Sequence, residues 1–160
     1  MKQELERYLN DHSAGAAGAL LLIDQIIDTI EKPDAREFFC GLKEEVQGDC
    51  DLLEDLLQAA DMKSSTALKV AGGVTARVGL LKLMWEGLEP GRLGMFEALE
   101  MLALGVQGKR LLWLAMQEIA PGYPEWNEYD FFDLERRAIE QRDGIEEWRI
   151  EAALVSLAPD

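Results

Sequence analysis

Apolar positions recur three and four residues apart along nearly the whole chain, and no segment alternates with a period of two, so helices are expected and strands are not. The first stripe is Leu5, Tyr8, Leu9, His12, Ala16, Ala19, Ile23, Ile26, Ile27 and Ile30. It predicts a helix from about Gln3 to Glu31, stopped before Pro33. A second helix is predicted from a cap at Asp34, with Glu37 completing a capping-box pattern, to about Asp61. The cluster Ser64-Ser65-Thr66 is expected to cap a third, shorter helix that ends near Glu86, before a turn at Gly87, Pro90 and Gly91. A fourth helix is predicted from about Leu93 to Ile119, where Pro121-Gly122-Tyr123-Pro124 breaks it. A fifth runs from a cap at Asp130 to about Leu157.

Some polar residues fall inside the apolar stripes, and these carry the candidate chemistry. His12, the one histidine of the chain, points with the aliphatics of the first helix. Asp49 falls among Phe38, Phe39, Leu42, Val46, Leu53 and Leu56, with Glu45 at the edge of that face. On the fifth helix Gln141 joins the apolar face, and Arg142 and Arg149 project beside it. A buried polar group is costly unless it is paired, so these residues predict a polar cluster inside the protein. If the two hairpin loops lie at opposite ends, His12 and Asp49 both sit roughly 25–30 Å from the first loop. Arg142, about 16 Å from the other end, then shares their level. The expected mid-level set is His12, Asp49, Glu45, Gln141 and Arg142, with Glu100 and Arg149 as a second layer. The plainest reading of His12 is a core histidine bonded to Asp49, and Glu100 belongs equally well to a water-facing stripe with Glu97, Gln107 and Glu118.

Composition sets limits on function. The 160 residues suit one domain over 1–160, long enough to fold without a disulfide or a metal. The net charge of −15 argues against nucleic acid and against anionic membranes. The third helix departs from this balance: Lys63, Lys69, Arg77 and Lys82 occur with no acid before Trp85. Setting its +4 against −15 leaves −19 for the rest of the chain, so that helix is expected to lie on an acidic surface. Cys40 and Cys50, on one helix, are about 15 Å apart and cannot bridge. Two free thiols and a start without signal-peptide character fit the cytoplasm. The apolar run 14–23 is too short to span a bilayer.

Four long helices and a short one, in the order long-long-short-long-long, suggest two antiparallel hairpins joined by a helical crossover. The segment His12-Ser13-Ala14-Gly15-Ala16, preceded by Tyr8-Leu9-Asn10-Asp11, resembles the first helix of a group of uncharacterised bacterial ferritin-like proteins. The fourth-helix segment Leu99-Glu100-Met101-Leu102-Ala103-Leu104-Gly105-Val106-Gln107-Gly108-Lys109 resembles the same group. The resemblance implies an all-α, ferritin-like up-down four-helix bundle with a helical crossover, five helices in total. Di-iron proteins of this fold use a carboxylate from each of two helices and a Glu-x-x-His pair from each of the other two. With a single histidine this chain cannot supply two such pairs, and Gly48 stands three residues after Glu45. Arginines near the pocket would repel a metal and pair with Asp49, Glu45 or Glu100 instead.

The expectation is therefore a non-enzymatic ferritin-like binding or structural protein with a degenerate, metal-free polar core and no cofactor. The alternative is a metal-binding oxidase or metal-storage protein holding iron or manganese on His12, Glu45, Asp49 and Glu100. A third reading is a small-molecule binder that uses space near Gly15 and Gly105, its ligand unknown. The glycines Gly15, Gly18, Gly105 and Gly108 could equally serve close helix approach. A homodimer is expected, with the aromatic segment Tyr123–Phe132 either capping the protein's own end or anchoring that contact. Neither cysteine has a histidine on its helix, and no phosphate-binding loop is present.

Overall fold

A computed structural model of the chain describes residues 2–65 and 93–159. Among the described residues the fold is all-helical, with four long helices and no strand. They are α1 (Lys2–Thr29), α2 (Pro33–Ala59), α3 (Leu93–Ile119) and α4 (Phe131–Leu157). Each holds 27 or 28 residues, a length of about 40 Å. The expected third helix lies outside the described residues. No helix among the described residues is long and apolar enough to cross a membrane.

The helix ends follow local chemistry. α2 starts one residue before the expected cap: Pro33 is its first residue, and Lys32 precedes it in an extended conformation without a side-chain cap. Proline has no N–H to leave unpaired and its φ already suits a helix, so it takes the first position and Asp34 becomes a first-turn acid. The far end of α2 closes without glycine. Asp61 adopts a left-handed φ of 50°, its N–H donates to the Gln58 carbonyl at 3.0 Å, and that of Met62 to Leu57 at 2.8 Å. This pair of bonds is a Schellman closure, and Met62 tucks into the core behind it. α3 has the bounds its pattern predicts, and α4 is capped as expected, with the Asp130 carboxylate accepting from the Asp133 N–H at 3.0 Å.

Two hydrophobic cores fill the interior. One joins Leu9, Leu53, Leu56, Leu57, Leu112, Trp113, Met116, Trp126, Phe131 and Leu134. The other joins Ile23, Ile26, Phe39, Leu42, Val46, Leu99, Leu102 and Ile145. The start of α1 and the end of α3 thus share one end of the bundle with the end of α2 and the start of α4. The α1–α2 and α3–α4 connections lie at opposite ends. α2 finishes at one end and α3 begins at the other.

The aromatic segment closes the first of these ends from within the chain. Trp126 is 1% exposed, stacks on Tyr123 at 4.3 Å and donates its indole N–H to the Leu56 carbonyl at 3.0 Å. It is therefore not the exposed anchor that a dimer contact would need; Phe132, 73% exposed, is the aromatic that faces outward. Asn10 fastens the chain after α2. Its amide donates to the carbonyls of Glu6 and Lys63, both at 2.8 Å, and its oxygen accepts from the Ser65 N–H and hydroxyl. Ser65 is thereby held on α1.

Candidate functional site

Between the two cores lies a polar layer. On α3, Leu102, Val106, Lys109, Trp113 and Met116 repeat at heptad spacing, which turns Lys109 inward. On α2, Asp49 occupies the turn between Val46 and Leu53, and on α4 Gln141 occupies the turn between Ala138 and Ile145. Asp49 and Gln141 are buried. The Lys109 ammonium donates to Asp49 Oδ2 at 2.5 Å and also to Gln141 Oε1. Gln141 Nε2 in turn donates to Glu45 Oε2 at 2.6 Å, and the Arg137 guanidinium stands 3.8 Å from Asp49 Oδ1. The layer is one connected chain of donors and acceptors, running from exposed Glu45 through Gln141 and Lys109 to Asp49. Side-chain exposures of 5% for Asp49 and 12% for Lys109 place the pair in a region of low dielectric.

This arrangement corrects the expected partners. Arg142 does not reach Asp49; it donates to Gln107 Oε1 at 2.8 Å and to Asp143 Oδ1 at 2.7 Å. The reason lies on α4. Residues 135, 142 and 149 flank its apolar face on the α3 side, whereas 137, 144 and 151 flank it on the α2 side. Arg137 is therefore the arginine turned toward Asp49. Arg149 pairs with Glu100 at 3.0 Å and with Glu146 at 2.6 Å, and lies over the Phe96 ring. Glu100 is exposed, so this contact belongs to the outer α3–α4 seam. Lys109 stands nine residues after Glu100 and so half a helical circle away; with Glu100 outside, Lys109 is inside. That spacing is the signal that identifies the missed residue.

His12 is half-buried and packs edge-on against Tyr8, with ring centroids 4.7 Å apart. It makes no hydrogen bond to Asp49, whose oxygens meet Lys109 and Arg137. A buried carboxylate is matched better by a cation than by a neutral imidazole. Burial lowers the His12 pKa, and neighbouring Asp11 opposes that shift only partly. Burial likewise pushes the Cys50 thiol up to about 11, helped by Asp49 and Asp51, which disfavours the nucleophilic thiolate. Both cysteines are free.

The four residues of the metal alternative are not brought together. Asp49 is committed to Lys109, Glu45 and Glu100 are exposed on different seams, and His12 packs on Tyr8. Among the described residues no three carboxylate, imidazole or thiol side chains gather as a metal site would need.

The layer borders a cavity. It encloses about 100 Å³ between α1, α2 and α3, and its polar lining is His12, Asp49 and Lys109. Ala16, Ala19, Val46, Leu53, Val106 and Leu112 form its apolar walls, with Gly15 and Gly105 at the edge. The space arises because α1 contributes no fully buried aliphatic side chain between Leu9 and Leu22, a gap of nearly 20 Å. Among the described residues, a Cβ at Gly15, Gly18, Gly105 or Gly108 would meet nothing within 4 Å beyond its own helix. Against the described residues these glycines leave room beside the cavity. Comparison with known proteins finds no matching family model, no matching curated protein and no matching solved structure.

Proposed function

We propose that this chain is a non-enzymatic, ferritin-like binding protein whose metal-free mid-bundle cavity is its ligand site. The observation that carries the reading is the Lys109–Asp49 pair at the wall of an otherwise apolar cavity. In a di-iron relative a metal would balance inward-pointing carboxylates; here an ammonium supplies the positive charge from within the chain. The opposite-end placement of the two helix connections supports the ferritin-like assignment. The cavity supports binding because a buried ion pair beside open space offers a ligand polar contacts without an exposed charge. Among the described residues no nucleophile–base pair borders it, which supports a binding role over a catalytic one.

Elemental analysis of protein purified without chelators tests the reading. No stoichiometric iron, manganese or zinc is expected, and added iron(II) should not be held through gel filtration. Near-unit metal per chain that disappears in Asp49→Asn or His12→Gln would overturn it in favour of a metal-binding oxidase or storage protein.

A further inference from the structure

The chemistry of the cavity wall narrows the kind of ligand, an inference that rests on the reading of this cavity as the ligand site. We propose that it takes a small, uncharged molecule with an apolar body and one hydrogen-bond acceptor directed at Lys109. The apolar wall disfavours any charged body, because a charge moved from water onto aliphatic side chains loses its solvation. At the polar end the charges are already matched: Lys109 lies on one oxygen of Asp49, and Arg137 faces the other. An anion there would meet the buried Asp49 carboxylate, and a cation would meet the Lys109 ammonium. Glu45, the remaining charged member of the layer, is exposed and bonded to Gln141.

An ammonium has three N–H donors. Among the described residues Asp49 and Gln141 take two of the three on Lys109, which leaves one for an acceptor in the cavity that Lys109 lines. His12, on the opposite wall, can complement a hydroxyl through either ring nitrogen when neutral. Size sets the upper limit. A volume of about 100 Å³ is somewhat smaller than the roughly 150 Å³ engineered cavity that holds benzene. The fit is a compact ring or short branched chain bearing a hydroxyl or carbonyl oxygen. Entry is open at Gly15 and Gly105, both exposed and both without a side chain. A larger pocket at the α1–α2 end of the bundle, about 340 Å³ beside Met95 and Trp148, is a competing location and serves as the internal control.

The test is an amide-resolved NMR titration of the full chain with three probes of similar shape: phenol, benzoate and benzylammonium. Phenol should produce saturable shifts at the amides of Gly15 and Gly105, at least about tenfold tighter than either ion, a difference of about 1.4 kcal/mol. Gly105→Leu, which places a side chain at the mouth, should weaken phenol about tenfold while leaving the helical circular dichroism unchanged. Gly15→Leu serves the same purpose should Gly105→Leu not fold. Benzoate or benzylammonium binding at these glycines as tightly as phenol would overturn the ligand class and leave the site standing. Saturable phenol shifts confined to Met95 and Trp148, or no shift at Gly15 and Gly105 with any probe, would overturn the site itself.

Discussion

At the α2–α4 seam a Cβ on Gly144 would stand 2.5 Å from Cε2 of Phe38, whereas among the described residues a Cβ at Gly15, Gly18, Gly105 or Gly108 would meet nothing within 4 Å beyond its own helix. The same residue type thus lies under a ring at one place and beside open space at another. Gly144 is present because a ring lies over it. The other four stand where α1 and α3 leave space, and that space is where the apolar core is interrupted by Asp49, Lys109 and Gln141. The α3–α4 seam is filled in another way, by a ladder of side-chain contacts: Arg149 with Glu100, Arg142 with Gln107, and Arg110 with Glu135. The α1–α3 seam has no such ladder at mid-height among the described residues. The buried ion pair at that level, Lys109 with Asp49, joins α3 to α2 and borders the open space.

The largest effect should therefore come from that pair. Lys109→Met keeps most of the side-chain volume and removes the charge, which leaves Asp49 buried with only the more distant Arg137. Removing one partner of a buried pair typically destabilises by about 3–5 kcal/mol. Arg142→Ala, on the filled seam, should lower stability by less than about 1 kcal/mol, because its partners are accessible to water. Adding Asp49→Asn to Lys109→Met should recover part of the loss, since the uncompensated charge is then gone. Denaturant melts of the singles and the double give the coupling. A Lys109→Met variant as stable as the parent would mean that the ion pair beside the open space does not hold the layer together.

The two glycine classes should respond in opposite directions to the same change. Gly105→Ala adds a methyl group to open space and removes the flexibility penalty of glycine in a helix, a gain of about 0.5–1 kcal/mol. Gly144→Ala has the same propensity gain, but its methyl group overlaps the Phe38 ring, and overpacking costs about 1–3 kcal/mol. The net effect is a loss of about 1 kcal/mol. In a Phe38→Ala background the Gly144→Ala loss should vanish. Thermal melts showing both alanines stabilising would erase the distinction between the seams.

Much of the helical framework is legible in the sequence. The bounds of α3 and the Asp130 cap of α4 follow from Gly87, Pro90, Gly91, Pro121, Gly122 and Asp130, because local punctuation decides them. The polar layer is legible by level and not by partner. Asp49 and Gln141 sit in heptad positions on their helices, so their burial is expected. Choosing Arg137 over Arg142 as the partner of Asp49 requires knowing on which side of α4 each neighbour lies, which one helix cannot specify. Lys109 was readable from its spacing with Val106 and Trp113, but α3 is apolar almost all round and its outer face also carries Met101, Leu104 and Leu111. Periodicity therefore assigns its inward side poorly. The end of α2 at Asp61 lacks the glycine that normally marks such a closure. The purpose of Gly15 and Gly105 is a matter of the distance between two helices, and no single segment encodes that.

The smallest expected effect sharpens the comparison from the side of α1. His12 lines the open seam, and burial holds its pKa below the ordinary histidine value. Between the unfolded pKa near 6.5 and the lower folded one, the unfolded chain binds more protons than the folded chain. Stability from this group is thus fully present above about pH 6.5 and falls as the pH drops through that window. Asp11 moderates the loss, because its charge favours the imidazolium. His12→Gln should flatten the stability curve between about pH 6.5 and 5, leaving any slope from carboxylates at lower pH. Paired denaturant melts at pH 7 and pH 5.5 measure the difference. If parent and variant lose stability equally over that interval, His12 is as well hydrated as a surface residue, and the cavity it lines is open water rather than a partly dry site. A phenol-saturated sample adds a second reading: a ligand that fills the cavity dehydrates His12 further and should lower its NMR titration midpoint, whereas a ligand bound elsewhere would leave that midpoint where it is.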